Sequence, residues 1–171
     1  PQSITAASGM DAFTQLLESY LSTASNIITD ALAVEGLGRV SKSLYKAYAD
    51  GSDIEARTDM SLASYLSGNT LANAGLGLVH GFASSIGGFF EIPHGVICSS
   101  LMPASNRLTV KKLRQTHSNE IALFKYATVG KLFSAETNKS DHYYIDYLLN
   151  LIDDWKHKMN IPRLRSGGVS P

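Results

Sequence analysis

Apolar positions recur at three- and four-residue steps along most of the chain, the period of helices that bury one face. Met10, Phe13, Leu17, Tyr20 and Leu21 mark a first helix over about 6–22, with Thr5 as its N-cap. Leu32, Leu37, Val40, Leu44 and Tyr48 form the stripe of a second helix, opened by Thr29 and Asp30 and ended by Asp50-Gly51. Asp53 opens a third, IEARTDMSLASYLSGNTLANAG. The small side chains in its second half let another backbone come close, which predicts that this helix runs through the middle of a bundle. Gly75 and Gly77 bend or break it just before His80, and Pro93 makes the residue before it extended, so another helix starts near His94. Stripes over about 118–133 (Ile121, Phe124, Tyr126, Val129, Leu132, Phe133) and 141–159 (Tyr144, Leu148, Leu151, Ile152, Trp155, Met159) complete the set. No stretch alternates convincingly as a strand, and no internal repeat or low-complexity tract interrupts the pattern. The expectation is an all-α helical bundle.

Composition narrows this. A chain of 171 residues fits one domain with one sizeable core. Lys plus Arg and Asp plus Glu number 15 each, so no net field recruits nucleic acid or an anionic membrane. The apolar runs fall far short of a bilayer span, and the opening PQSITAASG has neither the basic nor the apolar region of a secretory signal. Cys98 has no partner for an intrachain disulfide, which with the missing signal points to a reducing cytoplasm. Pro1 begins in a polar loop and RLRSGGVSP stops in a turn, so truncation at both ends is expected.

Chemistry is concentrated in VHGFASSIGGFFEIPH, residues 79–94, which holds two of the five histidines in an apolar, tightly turning stretch. Two neutral imidazoles and a carboxylate can hold a divalent first-row metal, and Asp11, His80 and His94 are the candidates. Asp11 lies mid-helix among apolar neighbours, where a carboxylate needs a partner: a cation, or a salt bridge to Arg39 or Arg57. Gln15 shares its face and reads equally as a polar core group. GLGLVHG (75–81) resembles a dinucleotide fingerprint, but its third glycine is one place late and no strand precedes it. His117, His142 and His157 lie in polar segments and read as surface residues, the aromatics of 141–159 as core, and Asn73 as a buried amide or cap. Cys98 reads as a small buried side chain with no chemical role.

Together SGMDAFTQLLESYLS, the DIEAR at 53–57, GNTLANAGLGLVHGFASSIGGFF and EIPHGVICSSLMP resemble the helical C-terminal domain of the iron-containing (group III) alcohol dehydrogenases, a fold shared with dehydroquinate synthase-like proteins. The order and spacing match over most of the chain. In that family an Asp and a His one turn apart on the first helix, and two histidines fourteen residues apart, hold the metal. The resemblance therefore implies Asp11, His80 and His94 as ligands, with Gln15 at the fourth position where the iron enzymes usually carry His. A ligand set of Asp and two His is also that of zinc polyol dehydrogenases in the same superfamily, so Fe2+ or Zn2+ is implied. Ser84 stands where the family commonly shows a His near the nicotinamide, and it cannot titrate near neutrality.

The implied activity is oxidation of an alcohol to an aldehyde or ketone, or the reverse, with NAD or NADP taking the hydride from a metal-polarised substrate. Phe82, Phe89 and Phe90 become candidate walls of a small apolar substrate pocket, with plain core packing as the alternative. The family's nucleotide-binding α/β domain is not among these 171 residues, so residues 1–171 are expected to be the metal-binding half and inactive alone. Family members commonly self-associate, which allows a homo-oligomer. The competing expectation is a degenerate member, impaired in metal binding by Gln15 and Ser84 and kept as a structural or interaction module.

Overall fold

The structure, a computed structural model, describes residues 1–169. It contains α1 (Gln2–Leu21), α2 (Ile27–Ala49), α3 (Ile54–Ala74), α4 (Leu78–Phe89), α5 (His94–Thr116), α6 (Glu120–Phe133), α7 (Asp141–Lys158) and a closing 3-10 turn, Leu164–Gly167. There is no strand among the described residues, as the sequence pattern predicts.

The central helix is α1 rather than α3. Its buried residues run from Ala6 to Tyr20 and cover nearly its whole circumference, and it packs against α2, α3, α4, α5 and α6. In α3 only Ala56, Ala63, Leu66, Ser67, Thr70 and Ala74 are buried. Of the small residues that suggested a central position for α3, Ser64, Gly68 and Ala72 are exposed, and Asn73, expected as a buried amide or cap, is exposed and donates to the Asn69 carbonyl. Helix starts also shift. Thr5 lies inside α1 and bonds back to the Pro1 carbonyl, while α2 is capped by Asn26, whose side chain accepts from the Ile28 and Thr29 amides as the Thr29 hydroxyl accepts from the Asn26 amide. That reciprocal cap makes Thr29 the third helical residue rather than the start. Asp53 caps α3 as expected.

The main core joins α1 to α2, α3 and the α6–α7 pair through Met10, Phe13, Leu37, Leu44, Leu66, Tyr126, Leu148 and Ile152. Phe13, Phe133 and Trp155 meet there, Phe13 stacking on Phe133 at 5.0 Å between centroids. A smaller cluster of Val79, Ala83, Ile97 and Cys98 lies between α4 and α5. Two glycines permit close backbone approach. A Cβ on Gly130 would run into the Tyr144 carbonyl of α7, and one on Gly95 would lie 2.5 Å from the Ala7 carbonyl oxygen of α1. The second contact seats the first turn of α5, and so His94, against the helix that carries Asp11.

Candidate metal centre

The break between α3 and α4 is fastened to α1 by three side chains. Ser22 Oγ donates to the Ala74 carbonyl at 2.6 Å and Ser19 Oγ to the Gly75 carbonyl at 3.0 Å, closing the end of α3 where Gly75 takes φ +72°. Glu18 receives the start of α4: its carboxylate accepts from the amides of Gly77 (3.0 Å), Val79 (2.6 Å) and His80 (3.3 Å). These are the unpaired donors at a helix N-terminus, where the helix dipole also favours a negative charge. Within GLGLVHG the amides of Gly77, Val79 and His80 thus face an acid of the same chain.

Glu18 also accepts from His80 Nδ1 at 2.7 Å, and both side chains are only 8% exposed. A proton held on Nδ1 leaves Nε2 as the atom that can ligate. That Nε2 faces Asp11 Oδ1 at 3.2 Å. His94, the first residue of α5, brings its Nε2 to 3.9 Å from the same oxygen and to 3.4 Å from Cys98 Sγ, one helical turn further on. The two imidazole centroids are 5.5 Å apart. The donor atoms of Asp11, His80, His94 and Cys98 all lie within 4.8 Å of one another.

The charges respond to this crowding. Burial works against a charged Glu18, but the hydrogen bonds from His80 and from the Val79 and Gly77 amides outweigh it and hold its pKa below the ordinary value. Burial likewise works against an imidazolium at His80, yet Asp11, the Cys98 sulfur and Glu18 around it carry its pKa up to about 11. Burial pushes the Cys98 thiol up. In the metal-free protein a proton on His80 therefore binds the two acids together.

The expected residues converge in part. Asp11, His80 and His94 come together across α1, α4 and α5, and the Asp11 carboxylate meets histidines rather than Arg39, which pairs with Glu35 and Asp59 instead. Gln15 stands beside Asp11, with its amide nitrogen donating to Asp11 Oδ2 at 3.3 Å and its amide oxygen 2.8 Å from the Ser67 hydroxyl. Ser84 donates to the His80 carbonyl within α4. Phe82 and Phe89 are 52% and 85% exposed, so they are not core, and Phe90 lies beside Gly168. None of the four lines the cleft of about 450 Å³ formed by Ile4, Ser8, Leu44, Arg57 and Met60 between α1, α2 and α3. His117, His142 and His157 are exposed.

Two participants escaped the sequence reading. Glu18 follows Asp11 by seven residues, two helical turns on the same face of α1, a spacing that could have drawn notice. Cys98 follows His94 by four, which puts both on one face of α5.

The chain has counterparts among known proteins. The family pattern described as Fe-containing alcohol dehydrogenase family, C-terminal, matches residues 5–169. The chain belongs to the iron-containing alcohol dehydrogenase family. It is 52% identical over 103 residues to alcohol dehydrogenase 4 of Saccharomyces cerevisiae, a match covering 60% of this chain and 27% of that protein. It is 33% identical over 162 residues to the NADPH-dependent butanol dehydrogenase of Clostridium saccharobutylicum, covering 95% of this chain and 39% of the relative. Among solved structures, a 1,3-propanediol oxidoreductase superposes with a TM-score of 0.87 at 34% identity, covering 99% of this chain and 43% of that one. An alcohol dehydrogenase from Oenococcus oeni gives 0.85 at 30%, covering all of this chain and 43% of that one. These two curated matches span 27% and 39% of the relatives' own lengths.

The donor set suits a divalent ion. In a tetrahedral site with metal–nitrogen and metal–oxygen bonds near 2.1 Å, neighbouring N and O donors stand about 3.4 Å apart. The 3.2 and 3.9 Å separations from Asp11 Oδ1 to the two imidazoles bracket that edge. The second hydrogen bond of His80, to a buried carboxylate, is the usual support of a ligating imidazole.

Proposed function

We propose that this chain is the metal-holding helical part of an NAD(P)-dependent alcohol dehydrogenase, with Asp11, His80 and His94 as ligands of one Fe2+ or Zn2+ ion. The observation that carries the proposal is the meeting of those three donor groups from three helices, with His80 oriented by Glu18 so that Nε2 faces Asp11. Held by these residues, such an ion would supply Lewis acidity to an alcohol oxygen, whose proton would leave to solvent as the carbinol hydride passed to a nicotinamide. The chain's own residues hold the site open on one side. His94 has a side chain 50% exposed, while His80 and Glu18 seal the opposite side against water.

Ser84, Phe82, Phe89 and Phe90 are assigned to the wall of the cleft that receives substrate and nicotinamide. The support is that α4 exposes Leu78, Phe82 and Phe89 on the element that carries His80. Nucleotide binding is assigned to a domain that residues 1–171 do not supply, in line with the 43% of the 1,3-propanediol oxidoreductase chain that they cover. The relatives named as NAD-dependent methanol dehydrogenase and NADPH-dependent butanol dehydrogenase use different nicotinamides, so both remain in the proposal.

The test is metal uptake. The chain stripped with chelator and titrated with Zn2+ or, anaerobically, Fe2+ takes up one ion, and His94→Ala loses it while His117→Ala does not. A chain that stays metal-free at stoichiometric ion overturns the proposal. The second reading, a member with impaired metal binding, draws support from Gln15, whose amide is turned to Asp11 and Ser67. A tenfold or greater gain in Fe2+ affinity in Gln15→His supports that reading, since a well-placed imidazole tightens binding; no gain counts against it.

A further inference from the structure

We infer that Cys98 is the fourth protein ligand of this centre, making it a carboxylate–imidazole–imidazole–thiolate site that favours zinc over iron. The inference rests on the metal reading above and adds to it a donor that the resemblance did not supply.

Four observations carry it. Cys98 is fully buried, yet its sulfur stands in the ligand cluster rather than in the apolar packing alone. Its distance to His94 Nε2 is 3.4 Å, and the N–S edge of a tetrahedral zinc site, with bonds of about 2.05 and 2.3 Å, comes to about 3.6 Å. His94 and Cys98 lie one turn apart on α5, the first residue and the fifth, so a single rigid helix presents both donors. The rival for the fourth place, Gln15, spends its amide nitrogen on Asp11 and its oxygen on Ser67. A neutral amide is also the weaker donor to a first-row ion, whereas a thiolate is among the strongest.

The donor atoms lie within 4.8 Å of one another, a looser spread than a tetrahedral edge, so they would draw together around an ion. Ligation is a simple exchange. The thiol proton leaves to solvent, the sulfur lone pair forms the metal–sulfur bond, and no oxidation state changes. Two consequences follow. A soft sulfur donor moves the preference from Fe2+ toward Zn2+ or Co2+. Four protein donors also complete the tetrahedron, so a substrate oxygen enters as a fifth ligand, an expansion that catalytic zinc sites are known to make.

X-ray absorption at the zinc edge decides the matter on the full 171-residue chain loaded anaerobically with one equivalent of Zn2+. The expected spectrum contains one sulfur at about 2.3 Å and the remaining donors at about 2.0–2.2 Å. Cys98→Ser should lose the sulfur shell and weaken Zn2+ binding at least about tenfold, the lower bound for disturbing even an outer contact of such a site. Zinc bound stoichiometrically with nitrogen and oxygen neighbours alone overturns the Cys98 assignment and leaves the three-ligand proposal standing. Two sulfurs per zinc also overturn it, because one chain holds one cysteine. Failure to take up zinc at all fells the underlying metal reading, and this assignment with it. The wild-type spectrum decides even if the variant folds poorly.

Discussion

Removing Glu18 tests how the site is built. Its carboxylate accepts from three amides at the start of α4 and from His80 Nδ1, all at 2.6–3.3 Å. In Glu18→Ala the exposed Gly77 amide can turn to water, but the amides of Val79 and His80 and the Nδ1 of His80 are buried. A buried donor left without a partner costs about 1–3 kcal/mol. Partial flooding of the space left by the side chain tempers the total, and breaking a buried charged pair from one side typically costs about 3–5 kcal/mol. At about 2–4 °C per kcal/mol for a chain of this size, the thermal midpoint should fall by about 6–20 °C. Glu18→Gln keeps the shape and one acceptor oxygen, so it should lose only about 1–3 kcal/mol, the cost of one mispaired donor. Its metal affinity should nonetheless fall about 10–100-fold, because a neutral amide oxygen in place of the carboxylate still accepts from His80 Nδ1 but no longer raises the basicity of the ligating Nε2. Circular dichroism melts and zinc titrations measure both. If Glu18→Ala melts within about 1 °C of wild type, or Glu18→Gln binds zinc as wild type does, the reasoning fails.

Gly95→Ala should lower stability by about 1–3 kcal/mol by overpacking and also weaken metal binding, because its Cβ presses on the Ala7 carbonyl and pushes His94 away from Asp11; unchanged zinc affinity would refute that link. Gly130→Ala should cost a similar about 1–3 kcal/mol at the α6–α7 contact with Tyr144 and leave zinc affinity unchanged, which separates core strain from site geometry in paired melting and titration experiments. The metal-free chain should also depend on pH in a defined way. Glu18, with its pKa lowered, contributes stability that is present above its ordinary value of 4.5 and is lost as pH falls through the lowered one. His80, raised from 6.5 to about 11, contributes stability that is fully present below 6.5 and fades as pH climbs toward 11. Denaturation in chelator should thus show this pair's contribution at its maximum between those ordinary values, and Glu18→Gln should flatten the profile; a flat wild-type profile contradicts it.

The helices were legible because each buries a stripe at helical spacing, and Gly75, Gly77 and Pro93 announced the breaks that put both histidines at helix starts. Asp11 was legible as a charge out of place on an apolar face. Glu18 was not, since a glutamate near a helix end reads as solvated. Its role depends on the α3–α4 joint folding back onto α1, a long-range contact that Ser19 and Ser22 secure and that leaves no local periodicity. Cys98 was visible as a four-residue partner of His94 but carries no meaning until α1 and α4 bring Asp11 and His80 beside it. The central place given to α3 failed because small residues permit close packing without requiring it. Here Ser64, Gly68, Ala72 and Asn73 face water, while α1 buries residues nearly all round.

The most direct measurement is anomalous diffraction from crystals of the chain grown with Zn2+ and collected at the zinc edge. The account predicts a single strong peak within about 2.0–2.3 Å of donor atoms from Asp11, His80 and His94, with Glu18 still holding His80 Nδ1. A peak elsewhere on the chain, or no peak while His80 continues to bridge Asp11 and Glu18, would contradict it.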